Sequence, residues 1–159
     1  DGFAWMQRDR VVSGSGLEHH VIEGILVHTH PYFSDSTWSV PFLVDQRDSV
    51  TKVGVPGSEP GSYMIVQRSF EHMNLMPVGN AVKLDGRFAY AMRGLYGMHG
   101  AKMGGPFVSL STVDPSGRRV VTVEGFVYAP QFDKRAYVRE LEALLYSLRF
   151  DEGLAAGAQ

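Results

Sequence analysis

Residues 107–130 read FVSLSTVDPSGRRVVTVEGFVYAP. Two runs rich in valine, threonine and phenylalanine flank Asp114-Pro115-Ser116-Gly117. β-branched and aromatic side chains suit a pleated sheet surface. Proline presets a turn φ, glycine accepts a positive one, and Asp and Ser bond back to nearby backbone. The stretch therefore reads as a hairpin with strands at 107–113 and 118–128, closed by Pro130. Glu124 sits inside the second run and is expected on a solvated face, because glutamate belongs at the surface.

The same pattern recurs upstream. NAVKLDGRFAYAMRGLY, residues 80–96, carries Asp85-Gly86 between two apolar runs. That dipeptide is a strong signal for a two-residue hairpin turn. Successive hairpins predict a mostly antiparallel sheet. Downstream, Asp133 precedes KRAYVRELEALLYSLRF. Tyr137, Val138, Leu141, Leu144, Leu145 and Leu148 recur at helical spacing and form one apolar stripe. This is the clearest helix in the chain, with Asp133 as its cap and the whole stripe expected in the core.

The chain before the hairpins reads as a crossover. VIEGILVHTHPY, from residue 21, is a strand in which Ile25 and Val27 share one face and Leu26 and His28 the other. Ser39 and Pro41 suit the start of a helix. Val40, Leu43, Val44, Val50 and Val53 give it an apolar face over residues 40–53, and Gly54 and Pro56 stop it. SYMIVQRSF, residues 62–70, is the next strand. A strand, helix and strand in one sheet imply parallel strands joined by a right-handed crossover. The expected fold class is α+β: a mostly antiparallel sheet with two helices packed on one of its faces, beginning with the crossover and ending in the amphipathic helix. Residues 1–150 form one domain, and 151–159, DEGLAAGAQ, read as a flexible tail.

The chain has 159 residues, 44% hydrophobic and 20% charged, with a formal net charge of −2. A domain of this length buries roughly 70% of its extended surface and needs no metal or disulfide to fold. There is no block of basic residues, which argues against nucleic-acid binding. The chain has no cysteine, which removes thiol catalysis, disulfides and cysteine-ligated metals. No apolar run approaches the length of a membrane-spanning helix. The chain starts at Asp1, as a mature product or part of something longer does.

The sharpest catalytic candidate is His28-Thr29-His30-Pro31. On a strand, residues two apart share a face, so His28 and His30 can meet one metal. A His-x-His-Pro strand end occurs in zinc isopeptidases of the JAMM type. Those enzymes place a metal-binding Asp three residues after a Ser just downstream. Here Ser39-Val40-Pro41-Phe42 occupies that place, and phenylalanine coordinates nothing. Asp35 comes too early, Asp45 lies on the expected helix, and Glu18 and Glu23 stand in only loosely for the upstream base. Two histidines without a third ligand make an incomplete zinc site, so His28 and His30 are expected as partly exposed residues near a strand end. His19 and His20 are adjacent and point to opposite faces of a strand.

MRGLYGMHGAKMGGPF, residues 92–107, holds five glycines and three methionines. It lacks the order of a phosphate-binding loop, since Lys102 precedes Gly104-Gly105. Met92, Met98, His99 and Met103 are soft donors but too loosely spaced for a copper site. The stretch reads as a tight, irregular connection with a bulge or turn at Gly94 or Gly104-Gly105. No Gly-x-Ser-x-Gly elbow occurs. Asp45, Asp48, Glu59, Glu71, Glu124 and Glu140 are scattered, with no acid–base pair evident.

Three stretches carry a resemblance: RDSVTKVGVPGSEPGSYM (47–64), MRGLYGMHGAKMGGPFVS (92–109) and RVVTVEGFVYAPQFDKRAYVRELEALLYSLRF (119–150). In this order they are similar to the C-terminal half of a family of Bacteroidetes cell-envelope lipoproteins known only as a domain of unknown function. The resemblance implies a longer parent protein, anchored by an upstream lipidated cysteine and located in the periplasm or at the outer membrane. It implies no reaction and no catalytic residue, and the family pattern resembles tyrosine at the two histidine positions. The expected function is a non-enzymatic binding or structural domain without cofactor. Its partner would be another envelope protein or the N-terminal half. The alternatives are a zinc hydrolase using His28 and His30, and a small-ligand binder using the Gly/Met stretch.

Overall fold

The computed structural model describes residues 2–130 and 132–151. In chain order the elements are β1 (Phe3–Gly14), β2 (Leu17–Pro31), a short 3-10 turn (Asp35–Thr37), α1 (Val40–Gly54), β3 (Tyr63–Val66), β4 (Ser69–Phe70) and β5 (Met73–Asn74). They continue with β6 (Val78–Leu84), β7 (Arg87–His99), β8 (Ala101–Val113), β9 (Arg119–Tyr128) and α2 (Arg135–Leu145). The main sheet runs β1-β2-β9-β8-β7-β3, and β6 pairs with β7 beside β3. β4 and β5 form a separate small hairpin.

Both expected hairpins are present. Asp85 and Gly86, at φ 51° and 75°, connect the Leu84–Arg87 pair of β6 and β7. Positive φ at both central residues matches the right-handed twist of the flanking strands. Between β8 and β9, the Gly117 amide donates to the Asp114 carbonyl at 2.9 Å. The Asp114 carboxylate accepts from the Arg118 and Arg119 amides at 3.1 and 3.2 Å.

The crossover also holds. Every neighbouring pairing from β2 through β9, β8 and β7 to β3 is antiparallel. Those are four reversals, so β2 and β3 run the same way with three strands between them. α1 starts and stops as expected, but its inner face differs. Leu43, Val44, Arg47 and Thr51 are its buried residues, while Val53 is 86% exposed. β3 is shorter than the expected 62–70, because the chain leaves β7 after Val66 to form the β4–β5 hairpin.

Three further features differ from the sequence reading. First, residues 3–14, to which it assigns no element, form a long edge strand. Ser15 and Gly16, at φ 53° and 80°, turn it into β2, which begins at Leu17. Second, most of the Gly/Met stretch is strand, and its irregularity falls beside Gly104 and not at Gly94. β7 continues to His99, Gly100 alone makes the turn, and β8 resumes at Ala101, with one register shift between Gly97 and Met98.

Third, the helices lie on opposite faces of the sheet. Glu124 of β9 bonds Arg47 of α1, whereas a Cβ on the adjacent Gly125 would stand 2.8 Å from Leu141 of α2. Consecutive strand residues point to opposite faces, so α1 and α2 sandwich β9. The α1 side packs Leu26, Val44, Met64, Phe107 and Phe126. The α2 side packs Val108, Leu110, Val123 and Leu145, with Val21, Val127 and Leu141 beside them. Gly125 has no side chain to hold Leu141 off, which lets α2 approach the sheet closely.

The N-cap of α2 is Lys134 and not the expected Asp133, although the Asp133 carboxylate accepts the Arg135 amide at 3.0 Å. Arg93 of β7 pairs with Glu142 of α2. The expected tail, from Glu152 onward, lies outside the described residues. Among the described residues no helix is long and apolar enough to cross a membrane.

The α2 stripe is only partly internal: Leu141 is 7% exposed and Leu145 3%, but Leu144 is 54% exposed. Leu141→Ala is expected to cost roughly 2–5 kcal/mol, the range for emptying a packed leucine site. Leu144→Ala should stay within about 0.5 kcal/mol, as a surface change does. Urea denaturation of the two variants checks the contrast, and equal losses would contradict the helix orientation.

Candidate functional site

The even-numbered residues of β2 and β9 face α1, and several of them are polar. His28 stands opposite Thr122, and Leu26 opposite Glu124. On the other side of β9, Ser111 stands opposite Thr122 and Ser109 opposite Glu124. α1 lies over this row and contributes Arg47. The result is a layer of buried polar groups inside an otherwise apolar core.

Glu124, expected at the surface, is fully buried. Arg47 explains the correction. Its Nε and Nη2 donate to the two Glu124 carboxylate oxygens at 2.7 and 2.6 Å. This paired geometry is the strong form of the arginine–carboxylate interaction. The guanidinium also lies 4.5 Å from the centroid of the Phe107 ring, and Nη2 contacts the Met64 sulfur at 3.2 Å. Burial pushes the Glu124 carboxyl above the usual range, against the pull of Arg47. Among the described residues Arg47 Nη1 and Ser109 Oγ have no hydrogen-bond partner, although Nη1 lies 3.7 Å from an Asp48 carboxylate oxygen.

His28 and His30 share one face, as the sequence spacing predicts, and their rings stack with centroids 6.2 Å apart. They are not partly exposed, however: 2% and 5% of their surfaces remain accessible. Phe42 of α1 lies 5.8 Å from the His30 ring, so the residue in the expected ligand position acts as an apolar cover. Among the described residues none of the four ring nitrogens has a hydrogen-bond partner. Burial, the neighbouring His30 and the Arg47 charge lower the His28 pKa from 6.5 to about 3. Burial also lowers that of His30. Both imidazoles are neutral at ordinary pH.

The acids weighed for a zinc site are engaged elsewhere. Glu23 is on the opposite face of β2, where Arg8 and Arg10 hold it at 2.8 and 2.7 Å. Asp35 accepts the Tyr32 hydroxyl at 2.6 Å. Asp45 accepts Arg68 at 2.9 Å, and Glu18 pairs across from Ser13 at the far end of the β1–β2 hairpin. Among the described residues no three His, Cys, Asp or Glu side chains group to hold a metal. His19 and His20 diverge as expected, towards Phe132 and Asp9 respectively. Met92 and Met98 are buried core residues, and His99 stacks on Tyr63.

Sequence reasoning missed the Arg47–Glu124 pair, whose members are 77 residues apart. A signal was present: Arg47 falls in helical phase with Val44 and Thr51, and Glu124 interrupts a nearly unbroken apolar strand.

The fold and its buried polar layer define a three-layer α+β domain in which helices cover both sheet faces. The chain belongs to the family described as Domain of unknown function (DUF4837), with the match covering residues 1–147. No curated protein matches it.

Two measurements test the polar layer. Glu124→Leu should cost roughly 3–5 kcal/mol, because it leaves the buried Arg47 charge without its bidentate partner, with only Asp48 beside it at 3.7 Å. Adding Arg47→Met should restore most of that loss, since an apolar pair of similar volume replaces a buried ion pair at little cost. Denaturation of both variants decides it; a double variant no better than the single would show that the charge is not the cause.

The second concerns pH. The unfolded His28 keeps a pKa of 6.5 and the folded one about 3, so acid protonates the unfolded chain first. The resulting stability is complete above pH 6.5 and falls as pH drops towards 3. At pH 5 the His28 contribution has fallen by about 2 kcal/mol. His28→Gln should flatten this part of a stability-against-pH profile, and an unchanged slope would refute the assignment.

Proposed function

We propose that the chain is a non-enzymatic binding or structural domain of a bacterial cell-envelope lipoprotein of the Bacteroidetes kind. On this reading an upstream lipidated cysteine tethers it, and its partner is another envelope protein or the N-terminal half of the same polypeptide. The resemblance of the three motif-bearing stretches supports the location. The pairing of the buried charges supports a role outside catalysis: Arg47 and Glu124 face each other in the core.

The observation that carries the binding reading is β1. It is twelve residues long and ends the strand order of the sheet. A row of amides and carbonyls on an outer strand is a ready template for another extended chain. Trp5, Met6 and Val11 stand exposed along it.

The test expresses the full reading frame in its native host with a palmitate analogue, and places photo-crosslinking side chains at Met6 and Val11. The expected result is lipid-labelled protein in the envelope fraction, with crosslinks from β1 to one defined protein or to the N-terminal half. Unlabelled protein in the cytosol would overturn the location, and absence of any specific crosslink would overturn the binding edge.

A further inference from the structure

One concavity outside the buried layer and β1 is walled by aromatic rings. It opens where the chain leaves β2, crosses the 3-10 turn, and meets the facing ends of β7 and β8. Its volume is about 660 Å³, and Tyr32, Trp38, Phe88, Asp35, Asp114 and Arg87 are among the residues that line it.

Three aromatic rings meet here. The Tyr32 and Trp38 centroids are 5.9 Å apart with planes inclined by 35°. Those of Trp38 and Phe88 are 5.0 Å apart and inclined by 63°. Phe88 is 49% exposed, a large apolar surface to leave in water without a use. Trp38 and Phe88 pack edge to face and Tyr32 lies tilted beside Trp38, so the three rings form one aromatic wall of the pocket. Ring faces are electronegative and attract cations.

The charged groups agree. Asp35 and Asp114 both line the pocket. Asp35 is fixed by the Tyr32 hydroxyl. Asp114 is fixed by Ser116 Oγ at 2.9 and 2.8 Å and by the Arg118 and Arg119 amides. The one guanidinium in the lining, Arg87, lies 5.9 Å from the Phe150 centroid, and two carboxylates outweigh it. The frame is also held: Thr112, buried, donates its hydroxyl to the Phe88 carbonyl at 2.6 Å, and the Tyr32 amide donates to the Arg118 carbonyl at 2.8 Å.

We propose that this pocket binds an alkylammonium group, with Tyr32, Trp38 and Phe88 as its aromatic wall and Asp35 and Asp114 as counter-charges. The ligand is an amine-bearing molecule such as a peptide presenting a lysine side chain. The site is independent of the β1 edge, so either can hold without the other.

Trp38 supplies the readout. The chain has two tryptophans, and Trp5→Phe leaves Trp38 as the single one. The emission of that variant is followed on adding tetramethylammonium chloride or Nα-acetyl-lysine amide. Sodium chloride of equal ionic strength and neutral N-acetylglucosamine serve as controls. Both ammonium probes are expected to give a saturable change, and the controls none. Phe88→Leu, which keeps apolar bulk and removes the ring, should weaken binding roughly three- to tenfold, while Phe88→Tyr should retain it. Asp35→Asn, at an exposed position, should also weaken it without shifting the melting temperature. No saturable response beyond that to sodium chloride would overturn the proposal, as would an equal response to N-acetylglucosamine or full affinity in Phe88→Leu.

Discussion

The bidentate pair between Arg47 and Glu124 is the constraint around which one side of the molecule is arranged. Two opposite charges removed from water must stay together, because either alone in the interior is strongly unfavourable. The pair therefore fixes how α1 sits on β9, in both position and rotation. Neighbouring contacts follow from that placement. Thr51, one turn along α1, donates its hydroxyl to the Met64 carbonyl of β3 at 2.9 Å. Asp48 accepts the Val66 amide at 2.8 Å and holds Arg68 with its other oxygen. Phe42 is set over the histidines. What the pair contributes is a unique placement more than raw stability, since apolar residues of equal volume fill such a space as well.

Residues that act locally were the legible ones. Asp85-Gly86 and Asp114 to Gly117 encode their turns within four residues, and the sequence reading located both. The limits of α1 followed from Ser39, Pro41 and Gly54, and the direction of β3 from the crossover. Sidedness was not legible in the same way. Periodicity shows that a stripe is buried, not which sheet face receives it. One clue lay in β9 itself: Val120 and Phe126 on one side and Val123 and Val127 on the other are all buried. A strand apolar on both faces requires cover on both, which two helices on a single face cannot give. β1 was missed because its burial is slight and its middle is charged, through Arg8, Asp9 and Arg10. The Ser15-Gly16 turn was its only strong signal.

The histidines show the same limit from the other side. Their spacing correctly placed both rings on one face, and the missing third ligand was visible at Phe42. Their burial was not visible, because it depends on where α1 lands, and that depends on an ion pair between distant residues. With both sheet faces covered, the exposed opportunities of the domain are its outer strand and the strand ends, where the aromatic pocket lies.

The position of β9 has a consequence for how the chain acquires its structure during synthesis. β9 lies between β2 and β8, yet it is the last strand to be made. Before residue 119 emerges from the ribosome, the β1–β2 hairpin and the β6–β7–β8 strands have no shared sheet. α1 likewise lacks Glu124, leaving Arg47 without its counter-charge. Contacts between residues so far apart in sequence form slowly. The sheet is therefore continuous only once β9 is in place, and a chain halted anywhere before β9 stays open along both of the edges that β9 will fill.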